Sequence, residues 1–333
     1  FNAVWTDRAA PEAVPAAEQP GHVPALPAPA DISGVAEDLS GDFYYLTADF
    51  GDPDTAMAVE TQSLLRWDGE GGVEVLADGL PMTATAGVSP DGRYLSYVRD
   101  DRFVLRDLAG GQEWQVMAVS DEQQCAPPAW APDGRRVLVH RGNPGDGGPI
   151  GFYDITTGAF TQIGDVPGCH AKVWRDDAGR DMLNYTSYDT EQQYTELREV
   201  NTPAAQARYA WGLLPGQWIY QPYSVSPDGD LMCADTLQDQ TFPGDMTDIG
   251  SEYCTTVVAL DPTGAGVSEI EIEGAGDDSA VQQAVMFRDS FVARTVTEEG
   301  TGVLRLYDDT GEEIEELPEP GWETDPVLIA YVP

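Results

Sequence analysis

The sequence predicts an all-β protein made of repeated four-stranded sheets, and three observations support this. A short phrase that contains Pro-Asp-Gly recurs along the chain, as at residues 87–93, 129–135 and 224–230. An apolar strand follows each copy. The copies are spaced by roughly 40 to 50 residues, a period typical of the blades of a β-propeller.

The recurring turn sets the register of six repeats, at residues 41–42, 91–92, 133–134, 177, 228–229 and, more weakly, 289–290. Proline presets the first central dihedral of the turn, aspartate bonds to its own backbone, and glycine takes the positive φ that reverses the chain. The second strand of each repeat follows at residues 43–47, 94–98, 136–140, 182–186, 231–234 and 291–296. A third strand ending at an aspartate follows at residues 64–68, 103–107, 151–154 and 304–308. We therefore expect six four-stranded blades.

The two ends of the chain decide how such a ring closes. Residues 321–332 offer one or two strands after the sixth repeat, and residues 1–6 offer another. Two arrangements stay open: a seventh blade composed from both termini, or a six-bladed ring with an N-terminal arm. Residues 1–30, rich in proline and alanine, are predicted to form an extended arm or stalk, and residues 31–333 the propeller.

Trp130 and Trp174 occupy matching positions just before the turn in two repeats. Recurrence at one position favours a structural role, so we interpret both as packing between neighbouring blades. The alternative is that the two indoles contact a ligand.

The turn phrase and the strand after it resemble the repeat of the TolB-like propeller family (Tol–Pal translocation protein, WD40-like). Residues 87–98 and 130–140 match that repeat closely, and residues 225–232 match it well. Repeats one, four and six depart from it at residues 39–41, 176–178 and 288–290. The resemblance covers most of residues 31–318, and it implies the blade fold while leaving the partner open.

The charge of the chain disfavours some classes of partner. Its 58 acidic and 17 basic residues give a formal net charge of −41 at pH 7, and Lys172 is the sole lysine. Such a surface repels phosphate backbones and anionic lipid head groups, so binding to nucleic acid and electrostatic docking on membranes are not expected. The simplest interpretation is a solvated acidic coat.

Several features predict a secreted or cell-surface, extracytoplasmic protein. No apolar run approaches the roughly 18 residues that span a bilayer, so we expect no direct membrane insertion in this segment. The sequence starts at Phe1, which suggests a processed product whose signal or N-terminal anchor has been removed. Its cysteines, if paired, imply an oxidising compartment.

The positions of the four cysteines favour one of three pairings. Cys125 and Cys169 each lie five residues before the tryptophan of their repeat, on the innermost strands of adjacent blades. Cys233 lies on the second strand of the fifth repeat and Cys254 on the third. We therefore expect the disulfides Cys125–Cys169 and Cys233–Cys254. Four buried free thiols are the alternative.

No group of residues has the pattern of a catalytic, cofactor or metal site. The chain lacks a Gly-x-Ser-x-Gly elbow, and its carboxylates are too numerous for one pair to stand out. His140 ends a predicted strand and is interpreted as structural. Asp49, Asp52 and Asp54 resemble the start of a calcium loop, but the ligand pattern breaks off. We expect no cofactor and no metal.

An aromatic segment at residues 209–223 and a long acidic insertion at residues 238–252 stand apart from the repeats. The simpler interpretation buries these aromatic side chains between blades. The alternative is an exposed rim at one mouth of the ring that binds peptides or sugars. Its candidate residues are Trp211, Trp218, Tyr220, Tyr223, Phe242 and Tyr253.

The sequence as a whole favours a non-enzymatic binding or scaffold module that presents one propeller face to a protein or glycan partner. Two alternatives stay open: a polysaccharide hydrolase or lyase with a carboxylate site in the channel, and a structural subunit of a surface assembly. Fold alone does not choose among them, because propellers host both binding and catalysis.

Overall fold

The computed structural model describes residues 25–27, 34–50, 59–81, 86–119, 128–142, 149–165, 168–187, 194–200, 208–209, 217–238, 254, 256–260, 267–272, 283–297, 301–322 and 326–333. In these ranges the regular structure is entirely β, arranged as six antiparallel four-stranded sheets. The all-β fold and the six blades predicted from the repeats are confirmed.

The strands follow one another in order through the blades. Blade 1 contains β1 (Asp42–Phe50), β2 (Val59–Trp67) and β3 (Glu74–Leu80). Blade 2 contains β4 (Gly87–Val88), β5 (Tyr94–Arg99), β6 (Arg102–Asp107) and β7 (Glu113–Ala118). Blade 3 contains β8 (Ala129–Trp130), β9 (Arg136–His140), β10 (Pro149–Asp154) and β11 (Ala159–Asp165). Blade 4 contains β12 (Gly168–Arg175), β13 (Asp181–Ser187), β14 (Tyr194–Glu199) and β15 (Arg208–Tyr209). Blade 5 contains β16 (Gln217–Val225), β17 (Leu231–Gln238), β18 (Thr256–Leu260) and β19 (Val267–Glu269). Blade 6 contains β20 (Gln283–Met286), β21 (Ser290–Val296), β22 (Gly302–Asp308) and β23 (Glu313–Pro318).

The last strand, β24 (Val327–Val332), closes the ring. It pairs antiparallel with β1, with Asp42 opposite Val332, and becomes the innermost strand of blade 1. The innermost strands β4, β8, β12, β16, β20 and β24 contact their neighbours around a full circle.

A seventh composite blade, which the sequence left open, is therefore wrong. Strands from both ends of the chain do share a sheet, but that sheet is the first of six. The physical reason is that β1 to β3 supply only three strands to blade 1, and the single C-terminal strand completes its hydrogen bonding. Residues 1–6 lie outside the described residues.

The recurring turn is held by its own side chains. In blade 2, Ser89 Oγ donates to Asp91 Oδ1 (2.6 Å) and accepts from the backbone N–H of Tyr94 (2.8 Å). In blade 5, Ser226 Oγ donates to Asp228 Oδ1 in the same way, at 2.7 Å. The serine and aspartate of the phrase thus satisfy backbone groups that the reversal leaves free.

Six apolar clusters fill the spaces between neighbouring blades, one at each interface. Trp130 Nε1 donates to the backbone oxygen of Gly87 in blade 2 (3.0 Å), and its ring stacks on Tyr94. Trp174 covers Gly229 in blade 5 so closely that a Cβ there would lie 2.1 Å from the indole. The prediction that both tryptophans pack between blades is confirmed.

The antiparallel strand order gives the ring two different faces. The turns between the first and second strands, at residues 89–93, 131–135, 176–180, 226–230 and 287–290, lie on one face with the turns between the third and fourth strands. We call this the Asp-Gly face. The opposite face carries the hairpins between the second and third strands and the connections from one blade to the next. We call it the inter-blade face; it includes His140 and residues 319–322.

Described residues that precede β1 pack against the Asp-Gly face. Leu26 is buried in the cluster between blades 2 and 3, and its backbone N–H donates to the oxygen of Ile155 (2.9 Å). Gly34 accepts from the backbone N–H of Arg288 in blade 6 (2.9 Å). Blades 3 and 6 lie opposite each other in a ring of six, so Leu26 and Gly34 contact this face on two opposite sides. No described helix is long and apolar enough to cross a membrane.

Candidate functional site

The inner wall of the propeller consists of the six innermost strands, and its composition differs from the rest of the chain. Asp and Glu make up 58 of the 333 residues, yet none lies on β4, β8, β12, β16, β20 or β24 as described. The basic residues of these strands are His170, Lys172 and Arg175, all on β12. A carboxylate-free wall with positive charge on blade 4 therefore lies inside a strongly acidic protein.

Lys172 lies at the inner end of a row of side chains on the side of blade 4 that faces blade 5. It is opposite Asn184 in the register, and Asn184 is opposite Leu197. Asn184 is fully buried and donates to the sulfur of Met232 in blade 5 (3.6 Å). Burial lowers the pKa of Lys172 to about 8, and within the described structure this ammonium has neither an ion pair nor a hydrogen bond.

His170 lies close enough to Lys172 and to His140 for both groups to lower its pKa. His140, at the end of β9, is 1% exposed, and neither ring nitrogen has a hydrogen-bond partner among the residues described. Burial lowers the pKa of His140 to about 4. Burial, then the positive charge of Lys172 and His140, lowers the pKa of His170 to about 3. At pH 7 both imidazoles are therefore neutral and Lys172 carries the charge.

The backbone of His170 is unusual. Its φ is 54°, in the left-handed region that residues other than glycine seldom occupy. The register of β12 against β13 shifts between Cys169 and Lys172, so His170 lies in a bulge. A β-bulge changes the direction of a side chain, and bulges are common at the edges of sheets and next to functional sites.

A second polar group occupies the inter-blade face where blades 6 and 1 meet. Arg294, 1% exposed, donates from Nε to both carboxylate oxygens of Glu319 (3.0 Å each), and Trp322 Nε1 donates to the same carboxylate (3.0 Å). Burial raises the pKa of Glu319, although Arg294 opposes the shift. A cavity of about 310 Å³ adjoins this pair, lined by Arg294, Val296, Thr301, Gly302, Pro320, Gly321 and Trp322.

The chemistry that these groups offer is binding of an anion. Blade 4 presents the cation of Lys172 near the neutral imidazole of His170. A carboxylate site in the channel, which the enzyme hypothesis requires, has no candidate on the described innermost strands. No cluster of three or more His, Cys, Asp or Glu that could hold a metal occurs among the described residues.

Known structures share this architecture. TolB from Acinetobacter baumannii superposes with a TM-score of 0.54 at 18% identity, covering 89% of this chain and 67% of that one. A putative TolB from Agrobacterium tumefaciens gives a TM-score of 0.50 at 13% identity, covering 83% and 88%. The chain has a TolB-like β-propeller fold. A nidogen/laminin complex also matches, with a TM-score of 0.52 at 9% identity, covering 86% and 97%.

These identities are low enough that the likeness establishes the fold alone. No protein-family model and no curated protein matches the chain. The function of this propeller therefore has to be argued from its own residues.

The structure contains the predicted disulfide between Cys233 and Cys254, whose Cα atoms are 5.7 Å apart. Both residues are buried between blades 5 and 6, and Cys254 lies just before β18 instead of on it. The bridge joins the two ends of the long acidic insertion. Cys169 is also disulfide-bonded; Cys125, its predicted partner, lies outside the described residues.

The predicted aromatic rim is only partly visible. Tyr223 is half-buried and packs against the cluster between blades 5 and 6. Trp218 and Tyr220 lie on β16, the innermost strand of blade 5, toward the end that reaches the inter-blade face. Trp211, Phe242 and Tyr253 lie outside the described residues, as do Asp52 and Asp54.

Sequence reasoning identified His140 only as structural and did not select Lys172, Arg294 or Glu319. One signal for Lys172 was present in the sequence, because it is the only lysine in a chain that otherwise uses arginine. No comparable signal marked Glu319, one carboxylate among 58 acidic residues.

Proposed function

We propose that this chain is an extracytoplasmic, non-enzymatic binding module that holds a protein partner on the inter-blade face of its propeller. The observation that carries the proposal is the contrast between the two faces. The Asp-Gly face is contacted by Leu26 and Gly34, which precede β1 in the chain, whereas the cavity beside Trp322 lies at the inter-blade face.

Several charges near the Asp-Gly face are also already paired within the chain. Arg136 donates to Asp133 (2.6 Å) and to Asp181 of the next blade (3.0 Å), and Arg175 donates to the same Asp181 (2.8 Å). Groups that are satisfied internally offer little to a partner. The inter-blade face therefore supports recognition better.

A protein partner fits the inner wall better than a glycan. β24 and β20 contribute mostly apolar side chains, and sugars need several polar groups to satisfy their hydroxyls. An apolar or aromatic loop of a protein has no such requirement.

The disulfide Cys233–Cys254 supports a location outside the cytoplasm, since such bonds persist in oxidising compartments. The intact mass of the chain purified from its native cells, measured with and without reductant, tests this part. Thiols that are free before reduction would argue for the cytoplasm.

A capture experiment with face-specific variants tests the binding proposal. Gly321→Arg adds a long side chain to the inter-blade face, where a Cβ at Gly321 meets no atom within 4 Å. Ala178→Arg adds the same charge in an exposed turn of the Asp-Gly face. We expect an envelope protein captured by the wild-type chain to be lost with Gly321→Arg and retained with Ala178→Arg. Equal capture by both variants, or loss only with Ala178→Arg, would refute the choice of face.

A further inference from the structure

The cavity beside Trp322 is a formed concave site on the inter-blade face, where blades 6 and 1 meet. Its volume of about 310 Å³ is at the lower end of the roughly 300–1,000 Å³ range of ligand pockets. Val296 comes from the end of β21, Gly302 from the start of β22, and Trp322 from the connection that leads to β24. A space of this size accepts one or two residues of a peptide.

The lining of this cavity is mostly apolar. Val296, Pro320 and Trp322 are half-buried and contribute its carbon surface. Among the lining residues described, Arg294 carries the one charge, and its Nε donates to both carboxylate oxygens of the buried Glu319 (3.0 Å each). Arg294 would repel a second cation in the cavity, and a carboxylate there would compete with Glu319. An uncharged, apolar group therefore suits the cavity best.

The wall formed by Trp322 is held in place by the chain itself. Its Nε1 donates to Glu319 Oε2 (3.0 Å), and its ring packs against Tyr45 with the two ring centroids 4.9 Å apart. Trp322 also packs against the apolar cluster between blades 6 and 1. A side chain that is already ordered loses little entropy on binding, so Trp322 gives the cavity a preorganised wall.

Gly321 leaves open space beside the cavity. This residue is exposed, and a Cβ at its position would meet no atom within 4 Å. Its φ lies outside the left-handed region, so the backbone does not require a glycine here. A residue of a partner can therefore reach Val296 and Trp322 past Gly321.

The charge of the inter-blade face favours a basic partner. In the sequence, the six segments that connect second to third strands carry 13 Asp and Glu and one basic residue, Arg141; they are residues 51–58, 100–101, 141–148, 188–193, 239–255 and 297–301. On the Asp-Gly face, the five turns between first and second strands carry seven Asp and four Arg. Lys172 is on blade 4, across the ring from the cavity. The inter-blade face is therefore the more acidic of the two, and complementary charge steers a basic partner to it.

We propose that the cavity beside Trp322 anchors a leucine-like apolar side chain of a lysine- or arginine-rich segment of the protein partner. The apolar side chain packs against Val296, Pro320 and Trp322, while the flanking cations lie over the acidic inter-blade face. This inference rests on the proposed function and specifies the segment by which the partner is recognised.

Short peptides test this inference on the intact chain by isothermal titration calorimetry. The probe is acetyl-Lys-Lys-Leu-Lys-Lys-amide. One matched control, acetyl-Lys-Lys-Ala-Lys-Lys-amide, keeps the charge, and the other, acetyl-Glu-Glu-Leu-Glu-Glu-amide, keeps the leucine. We expect the leucine probe to bind about tenfold more tightly than the alanine control, because it buries more apolar surface. The acidic control should not bind.

Salt separates the two contributions to binding. High salt should weaken the binding of both basic peptides, because it screens their charges, and should leave the ratio of their affinities unchanged, because apolar burial is not screened. Equal affinities of the two basic peptides would overturn the apolar anchor. Binding of the acidic peptide as tight as that of the leucine probe would overturn the basic partner.

Two glycine variants check the location. Gly321→Leu places a leucine side chain beside the cavity and should remove the preference for the leucine probe. Gly72→Leu is the matched control, because Gly72 is exposed in a turn of the Asp-Gly face and a Cβ there also meets no atom within 4 Å. Both substitutions enter open space, so both variants should fold. A leucine preference that persists in Gly321→Leu, or that is lost in Gly72→Leu, would overturn the site.

Failure of this inference is distinguishable from failure of the proposed function. If Gly321→Arg loses the captured envelope partner while the wild-type chain does not distinguish the two basic peptides, the face is correct and the anchor is wrong. If the leucine preference is present and is lost in Gly321→Leu, but no envelope partner is captured, the anchor holds and the binding function fails.

Discussion

The two faces of the propeller are built on different principles. On the Asp-Gly face, Ser89, Asp91 and their equivalents satisfy the backbone of their own turn, across two to five residues of sequence. On the inter-blade face, Arg294 of β21 and Glu319, which follows β23, come together from separate parts of blade 6. Local repetition thus produces a face that is satisfied by itself, while groups specific to this chain collect on the other.

The two faces also respond to charge in opposite ways. Hydrogen bonds within the turn, chiefly from Thr310, lower the pKa of Asp308 on the Asp-Gly face, which stabilises the charged form. At His140 and Lys172, burial lowers the pKa of a base, which disfavours the charged form. The turn of Asp308 stabilises a charge, whereas burial disfavours the charged forms of His140 on β9 and Lys172 on the inner wall.

The largest effect is expected at the buried ion pair of the inter-blade face. Arg294→Met leaves Glu319 buried without its cation and should lower the free energy of unfolding by about 3–5 kcal/mol, measured by urea denaturation. Arg180→Met, which removes an exposed pair with Asp176 on the Asp-Gly face, should leave the midpoint unchanged.

The double variant Arg294→Met with Glu319→Met sharpens this test. It replaces both charges by apolar groups and should recover most of the lost stability. A double variant no more stable than Arg294→Met would show that packing, and not the unpaired charge, causes the loss.

Two turn glycines separate tertiary contact from local conformation on the Asp-Gly face. Gly229 has a φ of +86° and lies against Trp174, so Gly229→Ala adds a steric clash to backbone strain and should cost about 3 kcal/mol. Gly179 has a φ of +75° with no atom near its Cβ position, so Gly179→Ala should cost about 1 kcal/mol. Equal thermal denaturation of the two variants would contradict the role assigned to Trp174.

Acid should remove the stabilising effect of neutral His140 before that of charged Asp308. Between pH 6.5 and 4 the unfolded chain protonates His140 and the folded chain does not, so stability falls as pH falls through this window. The loss due to His140 is about 2 kcal/mol between pH 7 and pH 5. Asp308, whose pKa is lowered, contributes stability that is lost only below its unfolded value near 3.8.

His140→Leu provides the comparison. Urea denaturation at pH 7 and pH 5 should show a smaller difference in the variant than in wild type, with His170 supplying the remainder. An unchanged difference would mean that His140 already binds its proton in the folded state.

The smallest effect is expected within a single turn. Ser89→Ala removes the three hydrogen bonds that the Ser89 hydroxyl makes in the blade 2 turn and should cost about 1 kcal/mol. Blade 3 has Ala131 at the equivalent position, and Ala131→Ser should raise stability by about 0.5 kcal/mol because it supplies the missing hydroxyl. Destabilisation by Ala131→Ser would show that the two turns are not equivalent.

The blades could be predicted because their turn phrase recurs along the sequence. The residues of the candidate functional site do not recur, so they could not be predicted in this way. Trp130 and Trp174 recur at one position, so their role between blades could be inferred, and the register of Cys233 and Cys254 led to a disulfide. The closure of the ring could not be decided, because a strand such as β24 carries no mark of the sheet that it joins. The environment of Lys172 could not be foreseen, since Asn184 and Met232 belong to different strands and different blades.

From its sequence alone the chain determines what kind of sheet it folds into and where each sheet begins, because the turn phrase forms its hydrogen bonds among near neighbours. The tertiary structure decides that the ring has six blades and that Lys172, on the inner wall, has no ion pair among the described residues. Both depend on which strands meet in space, and pairing across blades follows from packing of the whole ring.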